Sequence, residues 1–593
     1  MIKFSKKLIP QSLKNFFEWS FAFILLLIII PVFVPLVPKM PGSDIDSSWA
    51  TALNQAVAQK LSFGKKIIFT LGPYSSIYTK VYHPSTDHMM LLGSFYLAAS
   101  YWFALLVLGS IDNSSGQRAL NWQQALLKNM QWRWIIIFIL LISTMMYIKD
   151  SLFFSYPLLV GIISYKSLFN KNPQNICLPI CFLLFAPFGL LILIKCSFIM
   201  ISFATMVLCA LFFILYKKNN LAYACLIGPL ISMLFFWKFA GQSFIDLPYY
   251  LGHSIYFVFV FTEAMSRVGN NQEIILYLTS STLILFLIYK QKQTTDAKLF
   301  LLALFGIFLF LSFKTGFTRH NHALISGISI LIAAFSLPFV LSSRFSFAVI
   351  ASSLITGSYI TSHYRAISIK DNLISTYSSS WYGITSRIRD ANWLPRNFDL
   401  IMDFHRTKAS IPMMQGTTDI YSYGQTYLIA SGNLWSPRPV FQSYSTFSPL
   451  LAEKNKKHLE SIQAADNIIF RIEPIDNRIP ALEDGASWPL LIKNYHLVQQ
   501  DNRFLYLQKI KNSSITLLPL KSESHRLAEV VNVPFTSQPL FIAIDIKPGF
   551  WGILNVIFFK ISQLEIIFEL ENGVKKYYRL SANMAKSNFL LSP

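Results

Sequence analysis

DIDSSWATALNQAVAQKLSFGKKIIFTLGPY, residues 44–74, follows closely on a long apolar run and sets two acids, Asp44 and Asp46, near its exit. After Asp46 the apolar residues Trp49, Leu53, Val57 and Leu61 recur every four positions, which makes one stripe along a short helix. Beside a membrane exit such a helix is expected to lie in the interface, with Trp49 at headgroup depth. Lys65 and Lys66 follow, then the apolar IIFTL and a Gly72-Pro73 turn. Asp46 stands where an N-cap stands, accepting backbone N–H bonds. A carboxylate held in that way stays rigid and ionised, so capping and general-base chemistry are compatible. Asp44 and Asp46 also form an acid-x-acid pair that could hold a divalent cation, Mg or Mn, because hard cations prefer carboxylate oxygen.

The chain around this stretch has the composition of a membrane protein. Of its 593 residues 53% are hydrophobic and 13% charged, and the mean hydropathy is +0.45, which argues against a soluble enzyme. Spanning hydrocarbon takes about 20 apolar residues. Runs of that order fall at 17–37, 89–111, 133–149, 152–169, 176–194, 197–216, 221–240, 274–290, 298–313, 323–342 and 346–364, about eleven helices. The expected organisation is an α-helical multi-span membrane domain over 1–365 with a long first outer loop at 38–88. A periplasmic α/β domain over 366–512 and a C-terminal β-sandwich over 513–593 complete it. In the α/β part IIFRI (468–472) and RFLYLQKI (503–510) read as strands. Farther on, PLFIAIDIK alternates Ile542, Ile544 and Ile546, and Asn572-Gly573 between two strand runs signals a hairpin. A compact sandwich follows from that pattern.

The net charge is +22, of which the residues before 370 carry +17 and the tail +5. The excess sits in membrane loops, where topology and anionic lipid account for it. No basic patch interleaved with aromatics argues for nucleic acid. Lys3, Lys6, Lys7 and Lys14 precede the first span. Alternate loops then carry Arg118, Lys128 and Arg133; Lys166 and Lys171; Lys217 and Lys218; Lys290, Lys292 and Lys298; and Arg344. The positive-inside trend makes that side cytoplasmic. Loop 38–88 and the tail then share the other side, the periplasm if the membrane is a bacterial inner membrane. The five cysteines all lie in apolar segments and read as small buried hydrophobes.

The outer side collects cations. Lys195 lies in LLILIKCSFIM between two apolar runs, and an ionisable group at that depth is either functional or snorkelling to headgroups. KTGFTRHNH (314–322) packs Lys314, Arg319, His320 and His322 into one short loop. Arg and Lys bind phosphate, and the alternative is a loop solvated among headgroups. The aromatic stretch 241–273 is expected to form a re-entrant or surface helix pair over a cavity. In SPRPVFQSYSTF and its flank, Trp435, Arg438, Gln442 and Tyr444 could cradle a sugar or dock the tail on the membrane domain.

Taken together, DSSWATALNQAVAQKLSFGKKIIFTLGP (46–73), LPYYLGHSIYFVFVFTEAM (247–265), KTGFTRHNH (314–322), NLWSPRPVFQSYSTFSPLLAEKN (433–455) and IDNRIPALEDGASWPLL (475–491) resemble a group of functionally uncharacterised bacterial inner-membrane proteins. The architecture resembles the GT-C class of membrane glycosyltransferases. That resemblance implies transfer of a sugar from a polyprenyl-phosphate-type donor to an outer-face envelope glycan or lipid acceptor. It implies Asp46 as general base or acceptor-positioning acid with Asp44 assisting, and Lys195, Lys314, Arg319, His320 and His322 as donor-phosphate ligands. The tail has no W-W-D-type motif of the oligosaccharyltransferases, which counts against peptide Asn as acceptor. The alternatives are a non-catalytic GT-C-like component of polysaccharide assembly or export, and a transporter, which would usually show internal repeats.

Overall fold

Long apolar stretches in hydrocarbon must satisfy their backbone groups internally, and the helix is the form in which one segment does so. Nine helices among the described residues are long and apolar enough to cross a membrane: Asp87–Ser110, Lys149–Phe169, Cys196–Leu215, Asn219–Phe239, Phe244–Met265, Asn271–Tyr289, Thr295–Phe317, His320–Phe339 and Phe345–Tyr364. Ser20–Phe33 and Leu178–Ile192 are shorter apolar helices. The protein is a multi-pass membrane protein. The structure, a computed structural model, describes residues 11–113, 135–139, 141, 149–169, 176–341, 345–364, 368–421, 423–511 and 513–592. Most of the expected span 133–149, and Lys3, Lys6, Lys7, Arg118, Lys128, Arg133, Lys171 and Arg344, lie outside those residues.

Contacts between loops sort the helix ends into two faces. On one, Cys196 N donates to Thr70 O at 2.9 Å and Gly72 N to Ile194 O at 3.0 Å, Lys195 meets Asp150, and Arg319 meets Asp476 of the tail. On the other, Lys218 Nζ donates to Ser167 O at 3.2 Å and Tyr216 Oη to Asp296 at 2.9 Å. The segment Phe244–Met265 is long enough to cross, yet both its ends meet the first face. Asp246 pairs with Lys65 at 2.7 Å, and Ala264 O accepts from Arg478 of the tail at 2.7 Å. It therefore runs along the tail-side face, with Tyr249, Ile255 and Phe259 on its exposed flank.

The first-loop helix forms as Ile45–Ala58, but not as an open interfacial helix. Leu53 and Val57 are buried, and so are Ser48, Ala50, Ala52 and Ala56 on its other sides. Those small residues let the tail approach closely: Thr426 N donates to Ser48 Oγ at 3.1 Å. Trp49 packs on Phe69 at 5.5 Å, and Phe69 on Phe441 of the tail at 5.2 Å. The helix is thus covered by the tail, and the expectation of Trp49 among headgroups is corrected.

After the helices Ile369–Arg389 and Trp393–Ala409, the tail builds a five-stranded sheet. Strands β1 (Thr417–Ile420), β2 (Leu434–Trp435), β3 (Asn467–Phe470), β4 (Tyr495–Gln500) and β5 (Leu505–Lys509) stand in the order β2-β1-β3-β5-β4. The two strand runs read from the sequence are β3 and β5, paired antiparallel. The sheet is held against the loop 436–448 by a buried guanidinium. Arg438 donates to Asp419 at 2.7 Å and Ser443 at 2.7 Å, lies 3.3 Å from Asp484 and stacks 3.5 Å over the Tyr421 ring. Burial would lower its pKa, but Tyr421, Asp419 and Asp484 outweigh that and raise it.

Beyond residue 513 the expected β-sandwich is replaced by two separate ribbons. β6 (Leu540–Ile542) pairs with β9 (Phe589–Ser592), and β7 (Leu564–Glu569) with β8 (Lys575–Leu580). The Asn572-Gly573 hairpin forms between β7 and β8, closed by Leu570 N to Val574 O with Gly573 at φ +75°. The ribbons do not stack as a sandwich because their apolar sides have another partner. Leu564, Ile566, Ile542 and Ile544 pack with Phe257, Val260 and Met265 of the helix Leu247–Met265.

Arg438→Met leaves Asp419 and Asp484 buried and without their cation, a change that costs about 3–5 kcal/mol. Hydrogen exchange of the full protein in nanodiscs should show β1 and β3 amides losing protection while the membrane helices keep theirs.

Candidate active site

The tail-side ends of the membrane helices hold a lysine cluster. Lys195 is the N-cap residue of the helix Cys196–Leu215, and Lys149 and Asp150 begin the helix Lys149–Phe169. Tyr78 comes from the short first-loop helix Ser75–Thr79. Lys195 Nζ lies 2.6 Å from Asp150 Oδ1 and donates to Tyr78 Oη at 3.1 Å, while Tyr78 Oη donates to Asp150 Oδ2 at 2.5 Å. Asp150 is 3% exposed. The Nζ atoms of Lys195 and Lys149 lie 4.5 and 5.2 Å from the Tyr78 ring centre, on cation–π contacts. The first loop reaches this place because Gly72 permits close approach. A Cβ there would fall 2.3 Å from Leu193 O and from Tyr250 Oη.

Two more lysines join from the first loop. Lys39 N donates to Lys80 O at 2.7 Å, and both lysines stand close enough to Lys149 to repel it. Lys80 also donates to Val32 O at 3.4 Å. Burial and then the charge of Lys39 bring the Lys80 ammonium down to about 8. Asp150 is the carboxylate paired within this group. His322 stands exposed, close to Lys195 and Asp150 on one side and Arg319 and Asp476 on the other.

The acid pair divides its work. Asp44, not Asp46, is the N-cap: its carboxylate accepts from Ser47 N at 3.0 Å and Ser47 Oγ at 2.7 Å. Partial burial would raise its pKa, but the bonds from Ser47 outweigh it and hold the group below the usual carboxylate value. Asp46 lies in the first turn, exposed, with Oδ1 accepting from Trp49 Nε1 at 3.1 Å. Tyr444 lies near both Asp46 and Arg319; burial first, and then Asp46, raise the Tyr444 phenol. The pair does not fit a divalent cation. Both Asp44 oxygens and Asp46 Oδ1 are taken by protein donors, and no cluster of three metal-ligating side chains occurs among the described residues.

The remaining sequence candidates have other partners. Lys314 donates to Val556 O and Phe559 O, Arg319 forms a two-pronged pair with Asp476 at 2.7 and 3.2 Å, and buried His320 meets Glu273 at 2.9 Å. Lys314 and Arg319 thus dock the tail, and of the five proposed phosphate ligands the structure gathers Lys195 and His322. Arg438, Gln442 and Tyr444 are buried inside the tail and cannot cradle a sugar as expected. Trp435 differs. It lines a cavity of about 410 Å³ with Lys65, Lys66, His458 and Asp466, and its Nε1 has no partner. Sequence reading missed Lys39, Lys80, Lys149, Asp150 and Tyr78. Lys149 and Asp150 carried a signal, being the charged pair inside the apolar stretch 134–165.

No family model and no curated protein matches the chain. Two solved structures do. ArnT from Cupriavidus metallidurans in the apo state is 10% identical, with 83% of this chain and 98% of that one covered and a TM-score of 0.32. The same protein bound to undecaprenyl phosphate is 9% identical, with 84% and 98% covered and a TM-score of 0.32. The likeness is loose, and no residue of this chain takes a role from it.

The Lys80 value gives a pH signature with a definite sign. Its folded pKa of about 8 lies below the ordinary 10.5, so between those values the unfolded chain binds more protons and stability rises with pH. Lys80→Met should remove that part of the slope in thermal-unfolding scans of the reconstituted protein. Anion affinity at the cluster should run the other way, weakening as pH passes through about 8.

Proposed function

We propose that the protein is a GT-C-like membrane glycosyltransferase, moving a sugar from a polyprenyl-phosphate-type donor to an envelope glycan or lipid acceptor on the tail-side face. The observation that carries this reading is the surplus of positive charge around Tyr78: Lys39, Lys80, Lys149 and Lys195 against the paired carboxylate Asp150. The helix Cys196–Leu215 also turns its N-terminus, the positive end of its dipole, toward this place. An arrangement that is self-repelling when empty is one that a phosphate relieves.

In this mechanism the lysines hold the donor phosphate and stabilise its charge as the bond from anomeric carbon to phosphate oxygen breaks. Asp150 and Tyr78 position Lys195. The acceptor hydroxyl attacks the anomeric carbon from the opposite side. Asp46, exposed in its first turn, takes the hydroxyl proton, and the polyprenyl phosphate leaves as the anion. Asp44 fixes the helix that carries Asp46. No metal step is included. The groove beside Trp435 is where the acceptor glycan lies, its hydroxyls toward Lys66 and Asp466. The membrane is the bacterial inner membrane and the tail-side face its periplasmic side.

Lys149→Met should weaken binding of polyprenyl phosphate to the protein in nanodiscs by about tenfold or more, since a hydrogen bond to a charged group contributes ~1.5–3 kcal/mol. Asp46→Asn should bind it normally and lose transfer. Unchanged affinity in Lys149→Met would refute the phosphate site. Normal glycan output from a stably inserted Asp46→Asn would favour the non-catalytic assembly or export component.

A further inference from the structure

The stretch PGFWGILNVIFFK, residues 548–560, has no charge between Lys547 and Lys560. It forms the helix Phe550–Phe558, none of whose residues is buried. Phe550, Trp551 and Phe558 are 69%, 76% and 60% exposed. On a soluble surface a contiguous apolar patch of this kind marks a site of interaction. What covers it is indicated by where its end is held.

Lys314 Nζ donates to Val556 O at 2.7 Å and Phe559 O at 2.9 Å, the open carbonyl end of this helix. The Phe558 ring lies 6.4 Å from Phe310, and the Phe559 ring 5.3 Å from Phe313. Phe310, Phe313 and Lys314 belong to the spanning helix Thr295–Phe317, whose tail-side end is Phe317. At ~1.5 Å of rise per residue these contacts fall roughly 5–10 Å below that end. Amphipathic helices lying in a bilayer interface reach the same depth. Phe310 is itself 40% exposed, so the apolar flank of Phe550–Phe558 continues a surface that lipid already touches.

We propose that Phe550–Phe558 is a membrane-interfacial anchor, a helix that the tail dips into the lipid leaflet on its own face. The partner is the lipid surface. Lys314 holds the C-terminal end of the anchor, and the bonds of Lys560 Nζ to Arg267 O at 2.7 Å and Phe317 O at 3.3 Å fix the chain as it leaves the leaflet. The tail is then tied to the bilayer by lipid as well as by its docking to the helix ends.

The test places a fluorophore on one introduced, exposed cysteine in the full protein, the four buried cysteines being kept, reconstituted in phosphatidylethanolamine–phosphatidylglycerol nanodiscs. Cys177, the exposed cysteine, is first changed to serine. Labels at Trp551→Cys and, separately, Ile553→Cys should be quenched several-fold more by lipids brominated near the top of the acyl chain than by aqueous iodide. Ile462→Cys, on a tail residue 90% exposed, should show the reverse. Iodide quenching without lipid quenching at both helix positions would overturn the anchor. So would shielding from both quenchers, which would instead mean a second protein copy covers the helix. Two labelled positions, together with the control, separate a local misfold from a wrong proposal.

Discussion

A helix that ends at a membrane surface leaves carbonyls without intrahelical partners, and satisfying those carbonyls organises the tail-side face of this protein. Ala264 O, at the end of Leu247–Met265, accepts from both Arg478 at 2.7 Å and Arg579 at 2.8 Å. Both cations come from the tail, and Asp476 bridges Arg579 to Arg319 of the membrane domain. Lys560 reaches Phe317 O at the end of another helix, and Lys314 of the membrane domain does the same for a helix of the tail. Cations at helix C-termini are also favoured by the dipole. Docking is thus accomplished by side chains that complete helices, not by a broad apolar seam alone.

This constraint explains why Lys314 and Arg319, in the densest basic loop of the chain, are engaged with the tail. KTGFTRHNH sits where a helix ends and the tail lands, so Lys314 and Arg319 have acceptors close by. Lys195 is instead the N-cap residue of Cys196–Leu215, where the helix dipole opposes a cation.

The sequence made the membrane class, most of the spanning helices, the strands at 467–470 and 505–509 and the Asn-Gly hairpin legible, because each rests on a local pattern. The first-loop helix was legible by its four-residue stripe, but its capping residue was misplaced by two positions. Either acid could cap, and Ser47 decides the matter by donating through both backbone and hydroxyl to Asp44. The sandwich was not legible because alternation reports that one side of a strand is buried, not what buries it. Here a helix about 300 residues earlier in the chain does so. The lysine cluster was legible only in part. Lys195 drew notice as a charge between apolar runs, and Lys149-Asp150 satisfied the same criterion. Lys39 and Lys80 are ordinary loop lysines until the backbone bond from Lys39 N to Lys80 O sets them side by side.

The cluster carries a cost that structure alone does not offset. Lys80 is held to about 8 by burial and by Lys39, and an ammonium forced downward in this way is destabilising at neutral pH. A merely structural set of lysines would be relieved by carboxylates or helix C-termini, as Arg438 is by Asp419 and Asp484 and Lys314 is by Val556 O. Around Tyr78 the carboxylate Asp150 is already engaged by Lys195 and by the phenol. That repulsion of one sign, at a place the first loop is drawn into by a glycine that tolerates no Cβ, is the feature on which the proposed donor-phosphate site rests.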